Sequence, residues 1–178
     1  MKHQNIGVIF ILCFLLSSCA ENREEKRKEI KILEDKFYAA GQIIPNDTSC
    51  NTLVHLYASY ALAFPQDSSS PVFLFKAGEI ANGTHQYQAS LDYFNLMCEK
   101  YPDHQKAPYA WFFKGFIYEN MLADSAAARK AYSLFLQKFP KHVLAHDVHL
   151  AIKNLGKNPL DIVHGFEKAN SDAMNKPN

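Results

Sequence analysis

The sequence predicts an all-α chain, an α/α superhelix of about three helical hairpins closed by C-terminal capping helices. Three observations carry this. Apolar residues recur at helical spacing through most of the chain, as in Leu53, Leu56, Tyr57, Tyr60 and Phe64. Pro65, Pro102 and Pro140 lie 37 and 38 residues apart, and Gly78 and Gly115 lie 37 apart. A period of that size marks stacked repeats, each too thin to bury its own apolar face. No stretch beyond residue 18 reads as a strand.

The elements follow in order. Residues 1–18 read as a targeting segment: Lys2 and His3 give a basic start, and an apolar run extends from Ile6 to Leu16. A spanning helix needs about 20 apolar residues and a secretory core about 7 to 15, so the run suits export. Residues 19–29 run from Cys19 through the charged run Glu21 to Glu29, whose mixed signs suit either a solvated tether or the exposed start of a helix, the tether being the preferred reading. Residues 30–168 form the helical domain. Its first stripe is Ile30, Leu33, Phe37 and Tyr38, stopped by Gly41. A turn-rich stretch from Pro45 to Ser49 leads to a second helix, ended by Pro65.

The second hairpin opens on Ser70-Pro71, read as a cap followed by proline at the first helical position. Its first helix is expected to reach Asn82 and break at Gly83, and its second to reach Lys100. A third hairpin starts at Ala107-Pro108; Asp124 caps its second helix, which ends at Phe139-Pro140. A helix from Val143 to Leu155 stops at Gly156, and Asn158-Pro159 starts a short helix toward Lys168. Residues 169–178 are read as a polar, frayed tail.

Charge excludes one class of partner. With residues 1–18 removed, 18 basic residues face 18 acidic ones, so nothing suggests nucleic acid. The roughly 160 residues that remain suffice for one domain with its own core.

Leu16-Ser17-Ser18-Cys19 resembles a bacterial lipobox, in which small residues precede a cysteine that is lipidated and becomes the first residue. Thioether formation requires the thiol of Cys19; Cys13 lies inside the apolar run behind bulky Leu12. The resemblance implies an envelope lipoprotein, palmitate included, held by acyl chains with no transmembrane helix. Ala20, in the place where some bacteria read an inner-membrane retention signal, implies outer-membrane sorting, with the periplasmic or surface face left open.

Counted from Pro71, Gly78, Ser90, Phe94 and Pro102 resemble the tetratricopeptide repeat (TPR) pattern, with Leu74 in place of its first aromatic. Counted from Pro108, Trp111, Gly115, Tyr118, Ala128, Tyr132 and Pro140 resemble it more fully, with one extra residue near Ala123. The chain is similar to small tetratricopeptide lipoproteins of the Bacteroidetes type. It is more distantly similar to the lipoprotein subunit of the outer-membrane assembly machine and to the Tol-Pal cell-division coordinator. The resemblance implies a partner-binding groove lined by Val72, Phe75 and Glu79 from one hairpin and Tyr109, Phe112, Phe116 and Glu119 from the next. The set that clamps a C-terminal carboxylate in chaperone-binding relatives is missing, since Phe75 and Glu79 stand in the matching places. A hydrophobic or basic segment of another envelope protein is the implied partner; the same aromatics also suit a core.

Other constellations are weighed against these. His142, His146 and His149 stand at helical offsets of four and three, but lack a thiolate or carboxylate partner, so no metal is assigned. Cys50 and Cys98 fall about 16 Å out of register in the repeat alignment and are expected to stay separate thiols. Asp124-Ser125-Ala126 resembles the Bacteroidetes O-glycosylation motif at Ser125, though Asp124 as a helix cap is the preferred reading. No Gly-x-Ser-x-Gly elbow, His-Glu-x-x-His or phosphate loop is present, so no enzyme activity and no cofactor are expected. The function read from the sequence is a membrane-anchored protein-binding scaffold in outer-membrane assembly or maintenance. Cell-division coordination and surface glycan binding are the alternatives.

Overall fold

A computed structural model describes the backbone at residues 4–39 and 48–168, apart from positions 159, 162 and 166, and the side chains from residue 22 onward within those ranges. The expectations placed on the Cys19 side chain, on Gly41 and Pro45, and on the tail 169–178 lie outside the described residues. The chain is all-α. Its described helices are α1 (Gln4–Ala39), α2 (Thr48–Ala63), α3 (Ser70–Gly83), α4 (Tyr87–Lys100), α5 (Ala107–Asn120), α6 (Ser125–Lys138) and α7 (Ala145–Asn154). The described positions between 160 and 168 are helical too. Among the described residues no helix is long and apolar enough to cross a membrane. Two compact units divide the chain, one from Met1 to Ala107 and the other from Pro108 to Asn178.

In the first unit α1 packs on α2, α2 on α3 and α3 on α4, each helix against its successor as a hairpin repeat requires. Ile30 and Phe37 of α1 are buried with Leu53, Val54, Tyr57 and Tyr60 of α2 and with Ala77 and Ile80 of α3. Tyr57 stacks on Phe73 at 5.1 Å between ring centroids, and Tyr60 meets the same ring edge-on at 5.0 Å. Tyr38, counted in the apolar stripe of the first helix, is instead 58% exposed and leans on the edge of Phe37. Cys50 and Cys98 are both buried, on α2 and α4 respectively.

The α3–α4 hairpin closes on Gly78. A Cβ there would come within 2.6 Å of Cε1 of Phe94, and the Ser90 hydroxyl donates to the Gly78 carbonyl at 2.7 Å. Glycine is therefore required by contact: the aromatic ring occupies the space a side chain would take. In the second unit the same lock recurs one repeat later, with Gly115 of α5 against Tyr132 of α6 and Ala128 buried beside it. α7 then covers α6 with Ala145 and Val148.

Three turns share one design. In 64–70, 101–107 and 139–145 an aromatic-proline pair is followed by a residue whose backbone and side chain both cap the next helix. Asp67, His104 and His142 donate their N–H groups to Phe64, Tyr101 and Phe139, and their carbonyls accept from Ser70, Ala107 and Ala145. Their side chains accept from the N–H two residues on: Asp67 from Ser69 at 2.8 Å, His104 Nδ1 from Lys106 at 3.2 Å, His142 Nδ1 from Leu144 at 3.3 Å. A side-chain acceptor at this spacing mimics a backbone turn.

One boundary differs from expectation for an identifiable reason. Ser70 is the first residue inside α3 and Ser69 the flanking one; the Ser70 hydroxyl donates to Phe64 O at 2.6 Å and makes no cap. α3 stops at Gly83 as expected, one residue beyond Asn82. It ends in a six-residue closure from Gln86 N–H to Ala81 O at 2.8 Å, with His85 at φ 64 in the left-handed position. The α5–α6 turn carries the extra residue foreseen near Ala123, and Ala123 itself takes φ 53. Asp124 caps α6 as expected, accepting from Ala127 N–H at 2.9 Å.

The largest difference concerns the charged run. Residues 21–29 follow the second of the two readings, the exposed start of a helix: they are part of α1, which continues without interruption to Ala39. Arg27 explains why: its guanidinium donates to the Tyr60 hydroxyl at 2.8 Å, to Asp67 at 2.9 Å and to the Ser69 hydroxyl. Arg23 adds an ion pair to Asp67 at 3.4 Å. One turn of helix separates the two arginines, so both reach the α2–α3 turn from the same face of α1.

Candidate partner-binding surface

The seven residues expected to line a groove divide between the two units. Val72, Phe75 and Glu79 stand on α3 in the first unit, and Tyr109, Phe112, Phe116 and Glu119 on α5 in the second.

On α3, Phe75 belongs to the core. It is 3% exposed, lies 5.6 Å from the Phe94 ring and carries the Lys106 ammonium 4.3 Å above its own ring centre. Burial on the Gly78–Phe94 side leaves it no free face for a groove. Val72 is half-buried, and Glu79 keeps much of its side chain at the surface. Crowding around the Glu79 carboxyl raises its pKa above the ordinary glutamate range, opposed by Lys106 and Lys76.

On α5, Glu119 is committed to structure: its carboxylate accepts from the Tyr132 hydroxyl at 2.8 Å. Burial raises the pKa of that phenol strongly, and the bond to Glu119 adds to the rise, so the proton stays on tyrosine. Tyr109 is 38% exposed and meets the His142 ring edge-on at 5.2 Å. Phe112 and Phe116 are half-buried, their rings 6.3 Å apart, with Phe113 in contact with both. Phe112 also leans on Tyr132 at 6.2 Å. The aromatic row thus has one edge in the α5–α6 packing and one edge toward solvent. Beside it Trp111 lies under two ammonium groups, Lys114 at 3.9 Å and Lys138 at 5.7 Å from the ring centre.

The remaining expectations sort as follows. His142 is engaged as the turn cap described above and by its ring against Phe135 at 5.7 Å, while His146 and His149 are exposed on α7. Among the described residues no three such side chains converge as metal ligands would. Ser125 is exposed at the start of α6, next to the capping Asp124.

Sequence reasoning missed the polar seam that fastens α1. Besides the Arg27 cluster, Glu34 accepts from the Tyr57 hydroxyl at 2.5 Å and from Lys76 at 2.6 Å, joining α1, α2 and α3. Burial raises the Tyr57 pKa strongly, and Glu34 adds to it. Burial alone would raise the Asp67 carboxyl; the Ser69 N–H and hydroxyl and the Arg27 guanidinium outweigh it and hold it below the ordinary range. These are long-range pairings of residues 23 to 42 positions apart, with no local motif to announce them.

No protein-family model matches this chain, and no curated protein sequence matches it closely enough to count as a relative.

Proposed function

We propose that this protein is a lipid-anchored scaffold of the bacterial envelope, a small tetratricopeptide-like lipoprotein whose helical hairpins hold a segment of another envelope protein. The observation that carries the reading is the α5 row: Tyr109, Phe112 and Phe116 keep part of their ring surface accessible while Gly115, one position away, is locked to Tyr132. Aromatic surface held on a rigid helix is favourable for binding, because little side-chain freedom remains to be lost when a partner arrives. The Leu16-Ser17-Ser18-Cys19 sequence supports the anchor, and about 0.8 kcal/mol per buried methylene makes several acyl chains a durable one.

The test is site-specific photocrosslinking in intact envelopes, with a photoreactive residue at Tyr109 or Phe116 and a control at exposed Lys130 on α6. A discrete protein adduct from the α5 positions and none from the control is expected. Adducts to glycan alone, or none from α5, would overturn the scaffold reading.

A further inference from the structure

The first unit has two ends, and the polar seam fixes which one lies toward Cys19. Arg23 and Arg27, near the start of the docked part of α1, bind Asp67 in the α2–α3 turn. The Tyr101 hydroxyl donates to Pro65 O at 2.9 Å, which brings the α4–α5 turn to the same end. Cys19 precedes Arg23 by four residues. That length covers about 6 Å as helix and at most about 14 Å fully extended. A leaflet's headgroup layer is about 5 to 8 Å deep, from the difference between total and hydrocarbon thickness.

Resting on the lipid anchor proposed above, we infer that the α2–α3 and α4–α5 turns abut the bilayer headgroups, with α1 acting as a rigid strut. The chemistry of this end suits a lipid surface. Its exposed tips carry a single charge, Asp103, beside Pro102 and Gln105 in one turn, with Pro65, Gln66 and Ser68 in the other. The Asp67 carboxylate is answered by two arginines, so it offers no repulsion to anionic lipid. The far end, with the α3–α4 turn, is then held away by the length of α3, about 20 Å for 14 residues.

The experiment uses the full lipidated chain in phosphatidylcholine vesicles containing headgroup-nitroxide lipid. A thiol-reactive fluorophore is placed at Ser68→Cys, Gln105→Cys or, at the far end, Gln88→Cys; burial of Cys50 and Cys98 keeps them from the reagent. Most emission is expected to be lost at Ser68 and Gln105 and retained at Gln88. Inserting ten Gly-Ser residues between Ala20 and Glu21 is expected to restore emission at Ser68 while the protein still floats with vesicles. Flotation with equal emission at all three positions would overturn the strut and leave the anchor standing. Failure of the uninserted protein to float would overturn both.

Discussion

A Cβ atom built on Gly115 lies 2.2 Å from Cε1 of Tyr132, closer than any real side chain approaches a ring. Tyr132 cannot swing away cheaply, because its hydroxyl is bonded to Glu119 and its ring is 1% exposed. Gly115→Ala is therefore expected to destabilise the protein by about 1–3 kcal/mol through overpacking. Gly78→Ala against Phe94 should cost a similar amount. In a Tyr132→Leu background the Gly115→Ala penalty should shrink, since the ring it strikes is gone. Urea midpoints of the two singles and the double measure that coupling.

Ala123 sits at φ 53, a conformation that costs a residue with a Cβ about 1–2 kcal/mol. Ala123→Gly removes the strain and gains freedom in the unfolded chain, so the net expectation is a gain of about 0.5–1 kcal/mol. His85→Gly, at φ 64, should act in the same direction. Thermal unfolding at one pH reads both.

The His104 side chain must stay neutral at Nδ1 to accept from Lys106 N–H, and burial, with Lys106 adding to it, lowers its pKa from the ordinary value. In the window between that lowered value and about 6.5, the unfolded histidine binds a proton that the folded one refuses. Stability then rises with pH through the window and is lost as pH falls through it. His104→Asn keeps a side-chain acceptor but cannot titrate. The variant's urea midpoint should fall less than that of the parent between pH 7 and pH 5.

Arg27 joins α1 to both Tyr60 and the α2–α3 turn, so Arg27→Ala is expected to remove the bond to the Tyr60 hydroxyl and one of the two arginines that answer Asp67, and to loosen the start of α1. Hydrogen exchange should accelerate in residues 22–29 and in the 64–70 turn, while the Gly115–Tyr132 hairpin stays protected. Uniform acceleration across both units would contradict that division.

The architecture was legible wherever it rests on short-range rules. The 37-residue spacing of Gly78 and Gly115 and the prolines after Phe64, Tyr101 and Phe139 mark packing contacts and turns that recur within one repeat. Asp124 as a cap follows from a hydrogen bond spanning three residues. What escaped was set by distant partners. The charged run from Glu21 to Glu29 reads as solvated because Tyr60 and Asp67, which hold Arg27, lie 33 and 40 residues away. Phe75 and Glu119 read as groove residues, since an aromatic or an acid on the first helix of a hairpin suits a partner surface as well as it suits the packing. The Phe94 ring and the Tyr132 hydroxyl decide it, placing both in the packing.

The envelope scaffold and the strut both depend on the fate of one sulfur atom. Intact-mass and fragment analysis of the protein purified from its native membrane tests that dependence most directly. The expected result is a chain beginning at Cys19 and carrying a diacylglycerol thioether, with palmitate-class acyl mass lost on alkaline hydrolysis. A chain that retains residues 1–18, or one cleaved elsewhere with an unmodified Cys19, would contradict the account.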